Sequence, residues 1–167
     1  MQLQSMGFKP LAILFAVVAV GPIISIFALR GLGKNGAQVA FWSILCVSVL
    51  AFCIIGFSML NRGVNVENGI LNVKSTFYKV SIPLVEITDM RVVAEGSVDD
   101  VVGIRVNGVG LPGFRSGWFN SKSSDRLFVD IGGGEYLLIY QGGKPRLALE
   151  FSNNLEAKTV LGTAVLR

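Results

Sequence analysis

Residues 64–73 read VNVENGILNV, and they place Asn68-Gly69 between two short runs in which apolar and polar side chains alternate. Alternation with a period of two residues is typical of a half-buried β-strand. Asn-Gly is a strong signal for a hairpin, because both residues accept positive φ angles. The stretch therefore predicts an antiparallel hairpin at the start of a mainly β domain.

Further short segments follow the hairpin, separated by glycine, asparagine or proline. The predicted strands beyond the hairpin cover residues 77–82, 87–95, 118–120, 126–131, 135–140 and 146–151, with Gly132-Gly133-Gly134 turning a hairpin between two of them. We expect about seven antiparallel strands in a bent sheet or open barrel. One C-terminal α-helix closes the domain, since Asn153 can cap it with Glu156 three residues later. Its predicted apolar face consists of Ala157, Val160, Leu161, Ala164 and Val165.

Two apolar stretches without any charged residue precede the β segments, at residues 11–29 and 39–60. As helices they would measure roughly 28 and 33 Å, enough to cross a hydrocarbon core of about 30 Å. The expected organisation is a tail (1–10), a first transmembrane helix (11–29), a loop (30–38), a second transmembrane helix (39–60) and a β domain (62–167). A cleaved signal peptide is the alternative for the first stretch, but its apolar run is long and no small-x-small cleavage site precedes Arg30.

The distribution of charge separates the two parts of the chain. Residues 61–167 carry twelve positive and eleven negative side chains, so the β domain has no basic excess with which to bind nucleic acid. The positive-inside count favours a shared side for both termini by three residues (Lys9, Arg62, Lys74) against two in the loop (Arg30, Lys34). We therefore expect a multi-pass protein of the bacterial inner membrane, with its β domain in the cytoplasm.

Three segments of the β domain resemble the bacterial pleckstrin-homology-like (PH-like) domains found on small membrane proteins. They are Ser81-Ile82-Pro83-Leu84 leading into Ile87, the ten residues Gly110-Leu111-Pro112-Gly113-Phe114-Arg115-Ser116-Gly117-Trp118-Phe119, and Phe151-Ser152-Asn153-Asn154-Leu155. The resemblance covers residues 62–167 and implies a seven-stranded, barrel-like fold capped by a helix. It also implies a tether of two membrane helices and a binding or scaffolding role. Members of the wider fold that bind phosphoinositides carry a basic cluster at the first hairpin, where this chain has Val66-Glu67-Asn68-Gly69.

The segment 108–120 is the predicted binding loop, because glycines, a proline, large aromatic residues and an arginine interrupt the alternating pattern there. Its candidate residues are Pro112, Gly113, Phe114, Arg115, Trp118 and Phe119. The structural alternative is a turn at Pro112-Gly113, with the aromatic side chains in the core and Arg115 in water. A second set of basic residues is a candidate for contact with anionic lipid, and it consists of Lys74, Lys79, Lys122 and Arg126.

Catalytic chemistry has little support in the sequence. The chain contains no histidine, which excludes Ser-His and Cys-His nucleophile systems and histidine-ligated metal sites. A Ser-Lys arrangement stays open in principle, and Asp99-Asp100 is interpreted as a solvated turn. We expect no enzyme activity, no cofactor and no metal.

The predicted function is that of a membrane-anchored, non-enzymatic binding or scaffolding protein that engages a protein partner at the membrane surface. The alternative is a domain that binds anionic lipid headgroups or handles lipid. Protection of the cell envelope against a toxin is a third hypothesis, for which only the small size and the two apolar stretches speak.

Overall fold

The chain folds into two long helices followed by a β domain with two sheets. A computed structural model describes residue 3 and residues 8–28, 34–94, 97–122 and 126–165. The helices of these residues are α1 (Phe8–Ala28), α2 (Lys34–Leu60), α3 (Val98–Val101) and α4 (Asn154–Val165). The strands are β1 (Gly63–Glu67), β2 (Ile70–Ser75), β3 (Tyr78–Pro83), β4 (Ile87–Val93), β5 (Val102–Leu111), β6 (Phe114–Ser121), β7 (Leu127–Ile131), β8 (Tyr136–Gln141) and β9 (Lys144–Leu149). A short 3-10 turn, Leu84–Glu86, connects the two sheets.

Helix α2 is long and apolar enough to cross a membrane, judged by length and composition over Asn35–Ser58. Only 6 % of its most apolar part is buried, unlike the mostly buried core helix of a soluble protein; a signal sequence near the N-terminus has a similar length and composition. Helix α1 contains a shorter apolar segment, Pro10–Ile24. The two helices contact one another, with the rings of Phe15 and Phe52 edge to face at 5.7 Å. Helix α2 begins five residues before the predicted apolar stretch, and position 29 lies outside the described residues.

The first sheet has the order β1-β2-β3 and is antiparallel throughout. Asn68 and Gly69 have φ angles of 52° and 73° and join Glu67 to its partner Ile70, so the predicted hairpin is confirmed. The inner face of this sheet is apolar, and the outer face is exposed and mostly polar. The alternation of apolar and polar residues in these strands therefore reflects a sheet with one face in the core and the other in solvent.

The second sheet has the order β4-β8-β9-β7-β6-β5, and only the β7–β9 pair in it is parallel. The predicted hairpin over Gly132-Gly133-Gly134 is wrong, because β9 lies between β7 and β8. The carboxylate of Glu150, just after β9, instead accepts hydrogen bonds from the backbone N–H groups of Gly132 and Gly134. A Cβ atom on Gly134 would lie 2.8 Å from Glu150 Oε1, so this glycine makes room for the carboxylate.

The three central strands of the second sheet, β7, β8 and β9, are buried on both faces. One face packs against the three-stranded sheet and α4 through residues such as Phe128, Leu137 and Leu161. On the other face, the β5–β6 hairpin and α3 cover Val129 and Tyr136. Strands that are buried on both sides lack the alternating pattern, which explains their nearly continuous apolar sequences.

The described residues form nine strands in two sheets, which corrects the expectation of about seven strands in one bent sheet. The C-terminal helix is confirmed, and the backbone N–H of Glu156 donates to Asn153 Oδ1 at 3.0 Å as the cap requires. Ala157 and Leu161 of α4 are buried in the core, whereas Val160 is exposed, so this residue was wrongly placed on the apolar face.

Candidate functional site

The predicted binding loop at 108–120 lies in a β-hairpin formed by β5 and β6, which corrects the expectation of a long irregular connection. The pairing of β5 with β6 shifts register on both sides of Arg105. Leu111 pairs with Phe114, and Pro112-Gly113 forms the two-residue turn between them. Proline followed by a glycine with a φ of 75° is typical of a type II turn. The hairpin was missed because three glycines in β5 obscure the alternation of Ile104-Arg105-Val106-Asn107.

Gly117 brings this hairpin close to the first sheet. Its φ is 119°, and a Cβ atom would lie 2.5 Å from the carbonyl oxygen of Asn107 and 3.1 Å from the ring of Tyr78. The hydroxyl of Tyr78 donates a hydrogen bond of 2.7 Å to Asn107 Oδ1. Glycine at this position therefore allows β3 to lie directly against the β5–β6 hairpin.

The aromatic candidates of the hairpin have packing roles. Phe114 is buried in a cluster with Leu14 of α1. Phe119 is buried in the cluster that contains Val129 and Tyr136. Trp118 packs edge to face on Phe128 at 5.3 Å, and the guanidinium of Arg146 lies over its ring at 5.4 Å. Phe114 and Trp118 therefore hold the hairpin in place, whereas Phe119 also lines the groove described next.

An open groove of about 520 Å³ lies along the β5–β6 hairpin. Its lining consists of Val102, Gly103, Arg105, Gly110, Leu111, Pro112, Arg115 and Phe119. Arg105 is exposed and Arg115 is half-buried, and a Cβ atom on Gly110 would approach Arg105 Nη1 to 3.6 Å. The exposed guanidinium of Arg105 beside apolar side chains favours an anionic group with an extended apolar neighbour.

Strand β5 is also the last strand of its sheet, and among the described strands only β6 is paired with it. Ile104 is 80 % exposed and Val106 is 49 % exposed on this strand. An exposed terminal strand with apolar side chains is a template for pairing with another chain. The groove and this edge both involve β5, and we call them together the β5 surface (residues 102–111 together with Pro112 and Arg115).

The four basic candidates do not form one patch. Lys74 and Lys79 are exposed and lie directly opposite each other on β2 and β3. Lys122 and Arg126 are exposed at the end of β6 and the start of β7, at the end of those strands opposite Phe114. The four residues therefore form two separate pairs, and the directly opposed Lys74 and Lys79 can both contact one anionic group.

A buried ion pair, which the sequence patterns above do not predict, joins the end of α2 to the centre of the β domain. Asp130 of β7 is 0 % exposed and accepts hydrogen bonds from Nε of Arg62, at 3.0 Å, and from its Nη2. The Arg62 guanidinium also lies 5.2 Å from the centre of the Phe114 ring. Burial raises the pKa of Asp130, whereas Arg62 favours the ionised carboxylate. The sequence does contain one sign of this ion pair. Asp130 is a charged residue within the apolar run of β7, and burial of an unpaired charge there would raise the free energy of the folded state.

The buried network continues to both sheets through hydroxyl groups. Ser75 Oγ lies 2.7 Å from Ser116 Oγ, and Thr76 Oγ1 lies 3.0 Å from the same atom. A hydrogen bond with Ser75 also favours the ionised form of Asp130. The buried polar side-chain atoms of the described residues all form hydrogen bonds. The network therefore has a structural role and leaves none of these atoms without a partner.

Residues 62–127 match the family model of the bacterial PH domain, from the arginine of the buried pair to the first residue of β7. Over these residues the β domain is similar to that family. PH domains are in general binding modules without catalytic activity. No curated protein and no solved structure matches the chain. Within the described residues, no three side chains of metal-binding type gather in one place.

Proposed function

We propose that the protein is a membrane-anchored, non-enzymatic binding module whose PH domain engages a protein partner at the β5 surface. The observation that carries the proposal is the exposed outer edge of β5, with Ile104 and Val106 beside a groove that contains Arg105. A partner segment in extended conformation adds a strand to this edge, and its backbone hydrogen bonds supply the affinity.

The groove specifies the chemistry of the partner segment. Apolar side chains of the added strand cover Ile104 and Val106, and an acidic side chain lies at Arg105. A carboxylate can accept two parallel hydrogen bonds from one guanidinium, which selects Asp or Glu over neutral residues. We therefore infer a partner that contains an extended apolar segment with at least one acidic residue.

The anchor in this proposal is the pair α1 and α2, which crosses the bacterial inner membrane as a hairpin with the PH domain on the cytoplasmic side. The length and composition of α2 and the charges that flank the helices support this arrangement. Strand β1 begins three residues after the end of α2, so the PH domain has no long linker. Partner binding then takes place at the membrane surface.

Photo-crosslinking in living cells tests the β5 surface. A photoreactive amino acid at position 106 is expected to capture one protein, whereas the same residue at Val85, which is 86 % exposed away from β5, is not. Phe114 is unsuitable because it is buried. A lysine at an exposed strand edge opposes pairing, so Ile104→Lys should abolish capture, and Arg105→Glu should abolish it by repelling an acidic segment.

Matched variants decide between edge binding and random contact. Val85→Lys introduces the same charge elsewhere and should leave capture at position 106 unchanged. Equal capture from positions 85 and 106, or capture at 106 that survives both Ile104→Lys and Arg105→Glu, contradicts the proposal. Retention of the near-UV circular dichroism of each purified variant excludes unfolding as the cause of lost capture.

A further inference from the structure

The turn between β2 and β3 lies at the end of the PH domain that adjoins α2. Strand β1 starts at Gly63, just after the helix, and Gly63 pairs with Lys74 near the end of β2. Lys74 in turn pairs with Lys79, so the Thr76-Phe77 turn extends past Gly63 towards the helix. If α2 ends at the membrane surface, this turn lies at the level of that surface.

A second set of contacts places the same turn beside the helices. Ser75 and Thr76 are both within 3.0 Å of the Ser116 hydroxyl on β6. Two residues before Ser116, Phe114 packs in a cluster with Leu14 of α1 and Phe52 of α2. The turn is therefore fixed to the part of the domain that touches both helices.

The side chains at this turn are an exposed aromatic residue and two exposed lysines. Phe77 is 59 % exposed at the tip. Lys74 and Lys79 lie directly opposite each other on the solvent face of the sheet, and in the described part of the chain neither forms an ion pair. Like charges in directly opposed positions destabilise a sheet, so an anion between them would relieve the repulsion.

The charges on this solvent face are segregated along the strands. Glu67 lies at the far end of β1, next to the Asn68-Gly69 turn, whereas both lysines lie at the helix end. A sheet face with its cations at one end and its anion at the other is oriented by a negatively charged surface. The lysine end is the end nearest the proposed membrane anchor.

We propose that the β2–β3 turn is a membrane-contact site, at which Lys74 and Lys79 bind the phosphates of anionic lipid headgroups and Phe77 enters the interfacial region. The occupant is the surface of the membrane that α2 crosses. Aromatic side chains favour this interfacial depth. Each lysine close to an anionic bilayer increases the binding constant for that surface about fivefold. The site rests on the membrane anchor of the proposed function, but it does not depend on the partner at β5.

Spin-label accessibility measures whether the turn contacts lipid. The full chain, with Cys46→Ala and Cys53→Ala, is placed in nanodiscs that contain either phosphatidylcholine alone or phosphatidylcholine with phosphatidylglycerol. A nitroxide on Phe77→Cys should favour oxygen over a water-soluble nickel complex in the anionic nanodiscs, and less so in the neutral ones. A label at Val85 should report water in both.

The lysines are tested with a matched control at the opposite end of the domain. Lys144 is exposed beside Gly143, whose N–H donates to Thr88 Oγ1 at 3.1 Å, far from the β2–β3 turn. The double variant Lys74→Gln/Lys79→Gln should lower the ratio of lipid-contacting to free turns by roughly 30-fold, and Lys144→Gln should leave it unchanged. Added salt should act in the same direction as the double variant.

The result can separate this site from the anchor. A label at Val47, which is exposed midway along α2, should report lipid in every nanodisc. If position 47 reports water, the anchor is refuted. If position 47 reports lipid while position 77 reports water in anionic nanodiscs, only the contact site is refuted. Lipid contact at 77 that is insensitive to both lipid charge and the lysine substitutions also overturns it.

Discussion

Replacement of Arg62 by methionine should strongly destabilise the PH domain. The substitution keeps an unbranched side chain under Phe114 but leaves the Asp130 carboxylate at 0 % exposure with only Ser75 among its favourable contacts. Removing one partner of a buried ion pair typically costs about 3–5 kcal/mol, because the other charge stays buried. Domains of this size are stable by about 5–15 kcal/mol, so a large share of the total would be lost.

Urea unfolding of the full chain in detergent micelles, followed by near-UV circular dichroism, measures this loss. Arg91→Met is the matched control, since Arg91 also binds a carboxylate (Asp89) and also lies over an aromatic ring, that of Tyr140 at 5.1 Å. Its side chain is 66 % exposed, so this ion pair is expected to contribute nothing measurable. Equal midpoints for Arg62→Met and Arg91→Met would refute the reasoning.

The pH dependence gives an independent check of the same variant. Burial raises the pKa of Asp130, and removal of Arg62 takes away the main opposing influence. A carboxyl group with a raised folded-state pKa contributes stability at low pH that is lost as the pH rises through that pKa. The deficit of Arg62→Met should therefore shrink as the pH is lowered through the interval in which the buried carboxyl group takes up its proton. A deficit that is constant or grows over this interval contradicts a buried, unpaired carboxylate.

Three further substitutions test local features of the domain. Gly117→Ala should cost about 2–5 kcal/mol by steric overlap and positive φ, while Gly63→Ala, which has no atom within 4 Å of a new Cβ, should change the unfolding midpoint little. Asn153→Ala removes the cap of α4 and should cost about 1 kcal/mol, whereas Asn153→Ser should restore most of it; equal losses would exclude the cap as the cause. Glu150→Gln weakens the acceptor for two glycine N–H groups and should cost about 1–2 kcal/mol in the same urea experiment, and an unchanged midpoint would show that these hydrogen bonds are replaced by water.

The sequence predicts those elements of the fold whose signals are local. The Asn68-Gly69 hairpin and the α4 cap at Asn153 depend on residues that are adjacent or three apart, and both are confirmed. The order of the strands depends on contacts between distant residues. Nothing local indicates that β9 lies between β7 and β8, because the parallel pairing of β7 with β9 and the hydrogen bonds from Gly132 and Gly134 to Glu150 join residues far apart in the sequence.

The candidate site was predictable in position but not in form. The segment 108–120 does line the groove, through Gly110, Leu111, Pro112, Arg115 and Phe119. Phe114 and Trp118, in contrast, pack against the helices and the first core cluster. Arg105 lies just outside that segment and was missed. The alternation of apolar and polar residues in Ile104-Arg105-Val106-Asn107 indicates a strand that contains Arg105, but the neighbouring glycines obscure this pattern.

The Arg62–Asp130 ion pair fixes the β domain, and with it both proposed surfaces, relative to α2. Arg62 follows α2 by two residues, and Asp130 lies in the central strand β7, so the ion pair ties the anchor to the core without a flexible linker. A domain on a long linker would turn freely, and a basic turn on it would contact the bilayer only part of the time. With the pair intact, the β2–β3 turn is held towards α2 while Ile104 of β5 stays exposed to a partner. Loss of the pair should therefore weaken lipid contact at position 77 even in a variant that remains folded.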